Sequence, residues 1–521
     1  MTSLFEIIGP IMIGPSSSHT AGMARIGRIA GYIANISLKQ IELEFSPKMK
    51  PIYIGHRSDV AIFGGILGIR EDDPAIKNSL EQIRRLGISC STGFLPPEQY
   101  PENTVRISLT GIEGERHTVI GTSVGGGSIV ISNIDGLQLE LAPISWYLLV
   151  WSRTLEVYDL PTAAKLQSGI LENGNYLTCF CFPNGIPDGI ENHLKKKVSI
   201  TKYSIIEPLL SYGCDCKDAI KFSSCRDACE MAAKEEIDLC EVAIRYEIQR
   251  SGHTREMVIE NMRQQWKQMK NSVQKGREGN KMLYNLTGGH DAEKLQRVVE
   301  ERRSVSGGCI PAAVAAAIGV MEYNASMGCI VAAPTAGSSG IIPGIMRTLQ
   351  ETYHFTDEQI IKALFVCALA GVIMAERKVS FSGSVGGCQG EIGCSSALAA
   401  AGIAALFCKE AEIVMQAMAL CMKNLLGLVC DPIAGPIEVP CIKRNAVGVA
   451  NAFISADMAL AGIVSYIPPD EVIDALVDVE QRLPPELKAA TVGGLACTHT
   501  AQCLRRKIEQ GNDYMLKAAV P

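Results

Sequence analysis

The alternation of apolar and polar residues along the first part of the chain reads as strands interleaved with helices. "IELEF" (41–45), "VRISL" (105–109) and "SIVISNI" (128–134) carry the two-residue period of half-buried strands. "GMARIGRIAGYIANI" (22–36) instead sets Ile26, Ile29 and Ile33 on one helical face. Beyond residue 136 the pattern weakens. There, "YLLVW" (147–151) and "YLTCFCF" (176–182) resemble strands flanking "TAAKLQSGIL" (162–171), which is expected to be a helix. From Ile205 onward the period is helical, first in charged segments such as "CRDACEMAAKEEIDLCEVAIRYEIQRSG" (225–252), then in Ala-rich apolar ones. Glycine and proline cut the apolar part at "SVSGGC", "APTAGSSG", "SFSGSVGGCQGEIG" and "VCDPIAGPIEVPC". Several loops among buried helices must satisfy many backbone groups in one place, which points to a ligand site.

These patterns predict a multidomain α/β plus all-α protein, since 521 residues exceed what one core usually holds. The expected parts are an α/β domain over 1–136, a small β-rich linker or module over 137–203, and an all-α domain over 204–521. Three apolar stretches, 310–331, 360–375 and 395–407, are expected to be buried helices and not membrane spans. The first contains Glu322 and Asn324, and the others fall short of the roughly 20 apolar residues a bilayer requires.

A formal net charge of -6 with dispersed charges excludes the cationic face that nucleic acid would need. "MTSLFEIIGPIMIG" lacks a basic region and a small-residue cleavage site, so a cytoplasmic location is expected. In that reducing compartment, 19 cysteines call for metal ligation or burial and not for disulfides. The pairs Cys179/Cys181, Cys214/Cys216 and Cys225/Cys229 lack zinc-ribbon spacing, and Cys309, Cys329, Cys367, Cys408 and Cys421 sit in apolar helical contexts. Cys388, Cys430 and Cys441 differ, because glycines or prolines restrain the loops that hold them and can aim their thiolates at one point. An iron-sulfur cluster suits that arrangement, and three protein thiolates leave one iron open as a Lewis acid. Cys394 remains a competing ligand.

Other candidates surround these. Ser16, Ser17 and Ser18, followed by His19, form a potential anion-holding cap for the helix that follows them. His56 lies at a turn in "YIGHRSDVAIFGG". Thr335, Gly337 and Ser338 offer hydroxyls and a backbone nest, and Lys443, Arg444 and Asn445 follow the last candidate thiol, where they could bind a carboxylate or offset thiolate charge.

The segments "IGPSSSHTAG", "GHRSDVAIFGG", "GGGSIVISNIDG", "APTAGSSGIIPG", "GGCQGEIG", "MKNLLGLVCDPIAGPIEVPCIKRNAVGVANA" and "DMALAG" resemble the iron-sulfur-dependent L-serine dehydratases (L-serine ammonia-lyases), in the form with β and α parts fused. The spacing from Cys388 to Cys430 and on to Cys441 matches that family's cluster ligands. The resemblance implies a 4Fe-4S cluster on these three cysteines and an N-terminal domain similar to an allosteric substrate-binding domain. It also implies His56 as base toward the serine Cα, with His19 positioning or protonating substrate, in an oxygen-sensitive enzyme forming pyruvate and ammonia. A homodimer is expected, with L-serine the small-molecule substrate, and with neither nucleic acid nor a membrane as partner. The ending "DYMLKAAVP" carries no cysteine, so self-inhibition by the tail is not expected, and 137–203 could be a diverged ACT-like module. Two alternatives stay open: a serine-binding regulator with a sensory cluster, and a lyase preferring L-threonine or L-cysteine. Pyridoxal phosphate chemistry is disfavoured, because no lysine lies in a recognisable phosphate cup.

Overall fold

The computed structural model describes residues 1–50, 52–97, 100–142, 144–155, 160, 163–183, 185–195, 197–209, 222–433, 435–489 and 491–517. The chain divides into two compact units, Ser18–Cys214 and a second made of Met1–Ser17 with Asp215–Pro521. The pair Cys214/Cys216 lies outside the described residues.

The first unit is α/β. Its six-stranded sheet runs in the order Ser89–Phe94, Leu38–Phe45, Thr104–Gly111, Arg116–Gly125, Ser128–Ile134, Leu137–Leu141, and only the first pair is parallel. Ile41, Leu43 and Phe45 lie opposite Leu109, Ile107 and Val105, and all six are buried, so the period-two pattern does mark the core face. The helix Gly22–Ala34 lays Ile26 against the sheet, where a Cβ at Gly121 would fall 2.8 Å from Ile26 Cγ2. It also packs tightly on the helix Ser58–Ile66, since a Cβ at Gly65 would sit 2.0 Å from the Ala24 carbonyl oxygen. Only glycine permits that backbone approach, which holds the turn bearing His56 beside the start of the first helix.

A second sheet of this unit is antiparallel, ordered Ile200–Ile206, Trp146–Ser152, Tyr176–Phe182, Ala164–Ile170. Its last strand corrects the helix expected over 162–171. Gly174, at φ +80, closes a turn in which the Gly174 and Leu171 amides donate to the Leu171 and Asn175 carbonyls. The hairpin then seats Ser168 beside Thr178, their hydroxyls 2.9 Å apart. Cross-strand pairing outweighs the helical preference of "TAAKL".

The second unit is mainly helical. At its centre lies Cys394–Phe407, packed on Asp357–Glu376, Ala411–Lys423 and Cys441–Leu460. Two helices, Asp357–Glu376 and Gln389–Phe407, are long and apolar enough to cross a membrane, yet 78% of each apolar window is buried inside the protein. The stretch 310–331 is broken after Ala325, and Cys329–Val331 pairs antiparallel with Ile11–Ile13.

The N-terminal turn Leu4–Ile7 is anchored within this unit by Glu247, which accepts from the Ser3 hydroxyl and the Leu4 amide (2.9 Å each) and from Arg250 Nη2 (2.6 Å). Glu247 is 0% and Arg250 3% exposed. Glu247→Ala removes the carboxylate that faces the buried Arg250 guanidinium and is expected to destabilise the helical unit by about 3–5 kcal/mol, read as a lower urea midpoint of its unfolding transition.

Candidate functional site

In the α/β unit two imidazoles stack. The His19 and His56 rings lie 4.7 Å apart, 8° from parallel. His19 sits in a π-helical turn, Ser17–Ala21, that leads straight into the helix Gly22–Ala34. Ala21 occupies the cap position of Gly22–Ala34 in helical geometry with no side-chain cap bond, so the serines precede a π-helical turn and do not cap that helix directly. Ser17 and Ser18 are buried and Ser16 is half-buried. The Thr20 hydroxyl donates to the His56 carbonyl at 2.8 Å and ties the two segments together.

His19 Nε2 faces Asn103 Oδ1 at 2.8 Å. With the amide oxygen accepting, the proton rests on Nε2. Burial lowers the His19 pKa to about 4, against the opposing effect of Asn103. Burial, then the neighbouring ring, hold His56 well below its ordinary value, and His56 Nδ1 is buried without a hydrogen-bond partner among the described residues. Both rings are therefore neutral at physiological pH, unlike the unperturbed imidazole the sequence suggests.

In the helical unit the ligand atoms of Cys388, Glu391 and Cys430 all lie within 4.8 Å of one another. Cys388 and Cys430 are 1% and 4% exposed. The side chain of Cys388 hydrogen-bonds Cys430 and, with burial, pushes the Cys430 thiol well up. Cys441, at the first position of the helix Cys441–Leu460 and 7% exposed, is raised by burial and by the charges of Cys388 and Glu391.

Local structure explains this convergence. Cys388 ends a glycine run and opens a π-helical turn, Gln389–Gly393. The buried side chain of Gln389 donates to the Leu476 carbonyl at 3.1 Å and accepts from the Gly427 amide at 2.8 Å. Its amide donates to the Leu428 carbonyl, so the loop of Cys388 is held to the loop entering Cys430. Cys430 bridges Lys488, its own amide donating to the Leu487 carbonyl. Glu438 accepts from the Tyr284, Asn285 and Leu286 amides and fixes the proline-rich segment before Cys441.

Arg444 Nη1 reaches Cys388 Sγ at 3.5 Å and the Val429 carbonyl at 2.7 Å, while Nη2 meets Asp431 Oδ1 at 2.7 Å. Asn445 donates to the Gly337 and Cys441 carbonyls, 2.9 Å each. Thr335 Oγ1 donates to Glu391 Oε1 at 2.9 Å and lies 3.2 Å from Ser338 Oγ. Lys443 turns away, 59% exposed and paired with Asp291 at 3.2 Å. The three converging groups are Cys388, Glu391 and Cys430; Cys441 and Cys394, the latter buried in the first turn of its helix, both lie outside that set, and only Cys441 is raised by the charge of Cys388. Glu391 and Asp431 escape the sequence reading. The available signals were an acidic residue inside "GGCQGEIG" and the acid adjoining Cys430 in "CDP".

The sequence profile described as serine dehydratase alpha chain matches residues 234–496, just over half of the chain. The chain belongs to the serine dehydratase family. It is 44% identical over 290 residues to the probable L-serine dehydratase, alpha chain, of Bacillus subtilis (strain 168), covering 56% of this chain and 96% of that protein. L-serine dehydratase TdcG of Escherichia coli (strain K12) aligns at 26% identity over 525 residues, 95% of this chain and 99% of the relative. The L-serine dehydratase beta chain of Peptoniphilus asaccharolyticus is 40% identical over 139 residues, 26% of this chain and 63% of its own length. This serine dehydratase is thus of the single-chain type.

The 4Fe-4S cluster that the family resemblance implies can be tested against the donor set. Buried sulfur atoms from separate loops face one another, and their burial and mutual repulsion disfavour ionisation in the absence of a positive partner. Iron supplies that partner, and thiolate is the ligand it takes in such clusters. The residues present fit the group.

Proposed function

We propose that this protein dehydrates and deaminates L-serine to pyruvate and ammonia, with a 4Fe-4S cluster held by Cys388, Cys430 and Cys441. The convergence of the buried Cys388 and Cys430 thiols, with Cys441 close enough for their charges to act on one another, carries the reading, and membership of the family supports it. When bound, the cluster supplies a Lewis acid that polarises the leaving hydroxyl.

The chain's own residues do the rest. His56, neutral and with an unpartnered buried nitrogen, takes the proton from the serine Cα. His19, held by Asn103, positions or protonates substrate. Arg444, fixed by Asp431, donates toward Cys388 and offsets thiolate charge. Thr335, Gly337, Ser338 and Asn445 shape a polar wall beside Glu391, and the serines at 16–18 are assigned to the substrate carboxylate. Loss of the proton and of hydroxide leaves aminoacrylate, which tautomerises to an imine, and water releases pyruvate and ammonia.

The test is a 2-oxo-acid assay coupled to lactate dehydrogenase, run on anaerobically reconstituted protein with L-serine or L-cysteine, which would give pyruvate, or L-threonine, which would give 2-oxobutanoate. Equimolar pyruvate and ammonia from L-serine are expected. Serine binding without pyruvate release would indicate a regulator instead.

A further inference from the structure

Glu391 is left unexplained by that scheme. We propose that its carboxylate is a further, exchangeable ligand of the cofactor, occupying the iron left open by the three cysteines while substrate is absent and yielding it when substrate binds. The inference rests on the cluster reading above.

Three observations carry it. A carboxylate oxygen of Glu391 lies within 4.8 Å of the sulfurs of both Cys388 and Cys430, so it shares their focus and does not point away from it. Among the described residues no lysine or arginine pairs with it, and its hydrogen bond is to the neutral Thr335 hydroxyl. A half-buried carboxylate set against two buried thiols with no cation paired to it carries a desolvation and repulsion cost, and a metal removes that cost. The chain also makes room for it. A Cβ at Gly383 would fall 2.6 Å from Glu391 Oε2 and 3.1 Å from Cys430 Sγ, and one at Gly337 would lie 3.1 Å from Oε1. Bare walls on two sides leave the carboxylate its place next to the sulfurs.

The π-helical turn Gln389–Gly393 explains how one short segment delivers both donors. The extra residue in the turn re-aims side chains relative to an ordinary helix, and such turns concentrate at functional sites. Carboxylate is a harder donor than thiolate and binds iron less tenaciously, so a substrate oxygen can replace it where it would not replace a cysteine.

The experiment uses the full chain, reconstituted anaerobically with iron and sulfide, as wild type, Glu391→Gln and Thr335→Val. Two readouts are independent of turnover: the electron paramagnetic resonance spectrum of the reduced cluster, and the rate of iron loss to a chelator. Without substrate, Glu391→Gln is expected to alter the spectrum and lose iron roughly 10–100-fold faster. Saturating L-serine should abolish both differences. Thr335→Val keeps the carboxylate and should retain the wild-type spectrum, which a merely structural hydrogen bond would not predict.

A Glu391→Gln protein superimposable on wild type in both readouts, with a cluster present, overturns this inference and leaves the cluster reading standing. A wild type free of iron and sulfide overturns both. Failure of Glu391→Gln and Glu391→Asp alike to take up iron also counts against the proposal, because an exchangeable ligand is dispensable for assembly.

Discussion

Cys388→Ser is expected to lose both acid-labile sulfide and pyruvate formation, with activity falling by more than the roughly 10–100-fold that outer partners of a metal site typically cost. The substitution keeps the volume nearly constant at a position only 1% exposed, so the fold should persist, as far-UV circular dichroism would show. A hydroxyl fails as a replacement because iron of this kind is held by ionised sulfur, and a serine hydroxyl does not ionise near neutral pH. Cys394→Ser is the matched control. Its thiol is also fully buried, yet unlike Cys430 and Cys441 it is not raised by the charge of Cys388, and that variant should keep iron, sulfide and turnover. Equal cluster content in wild type and Cys388→Ser, or cluster loss confined to Cys394→Ser, would sink the ligand assignment.

His56→Ala should separate the two halves of the chemistry. Removing the proposed base is expected to lower turnover by roughly 10²–10⁴-fold, while iron and sulfide per chain stay at the wild-type level. The pH dependence gives a second handle. Burial and the adjoining His19 ring depress the His56 pKa, so the basic, neutral form persists on the acid side of the ordinary imidazole value of 6.5. The acid limb of kcat/KM in the wild type should therefore fall with a midpoint below 6.5 and be missing from the residual activity of His56→Ala. Stability moves in the same sense. As pH drops below 6.5 toward about 4, the unfolded chain takes up protons that His19 in the folded protein does not, and the α/β unit loses stability. An acid limb at or above 6.5, or a variant within tenfold of wild type, would remove His56 from the role of base.

Much of the architecture was readable before any coordinates. The period-two runs at 41–45, 105–109 and 128–134 are strands, and Ile26, Ile29 and Ile33 do share the buried face of a helix. Local pattern sufficed there because each element buries one continuous face against one neighbour. The same reasoning failed at 162–171, where helix-favouring residues obey a hairpin turn and a partner strand that only pairing supplies. Nor did the serines and His19 announce the π-helical turn, Ser17–Ala21, that leads into the helix Gly22–Ala34.

The candidate site divides along the same line. Glycines and prolines around Cys388, Cys430 and Cys441 announce restrained thiols, because backbone freedom is a property of the residue itself. Whether those thiols meet depends on contacts between segments far apart in sequence, such as Gln389 with Gly427 and Cys430 with Leu487. Glu391 looked like an ordinary loop acid until folding set it beside two sulfurs, and the imidazoles looked like ordinary bases until burial stripped them of water. Composition and spacing determined which atoms were on offer. Tertiary packing alone decided their distances and solvation, and through these their charge, since each is a property of neighbours and not of the residue.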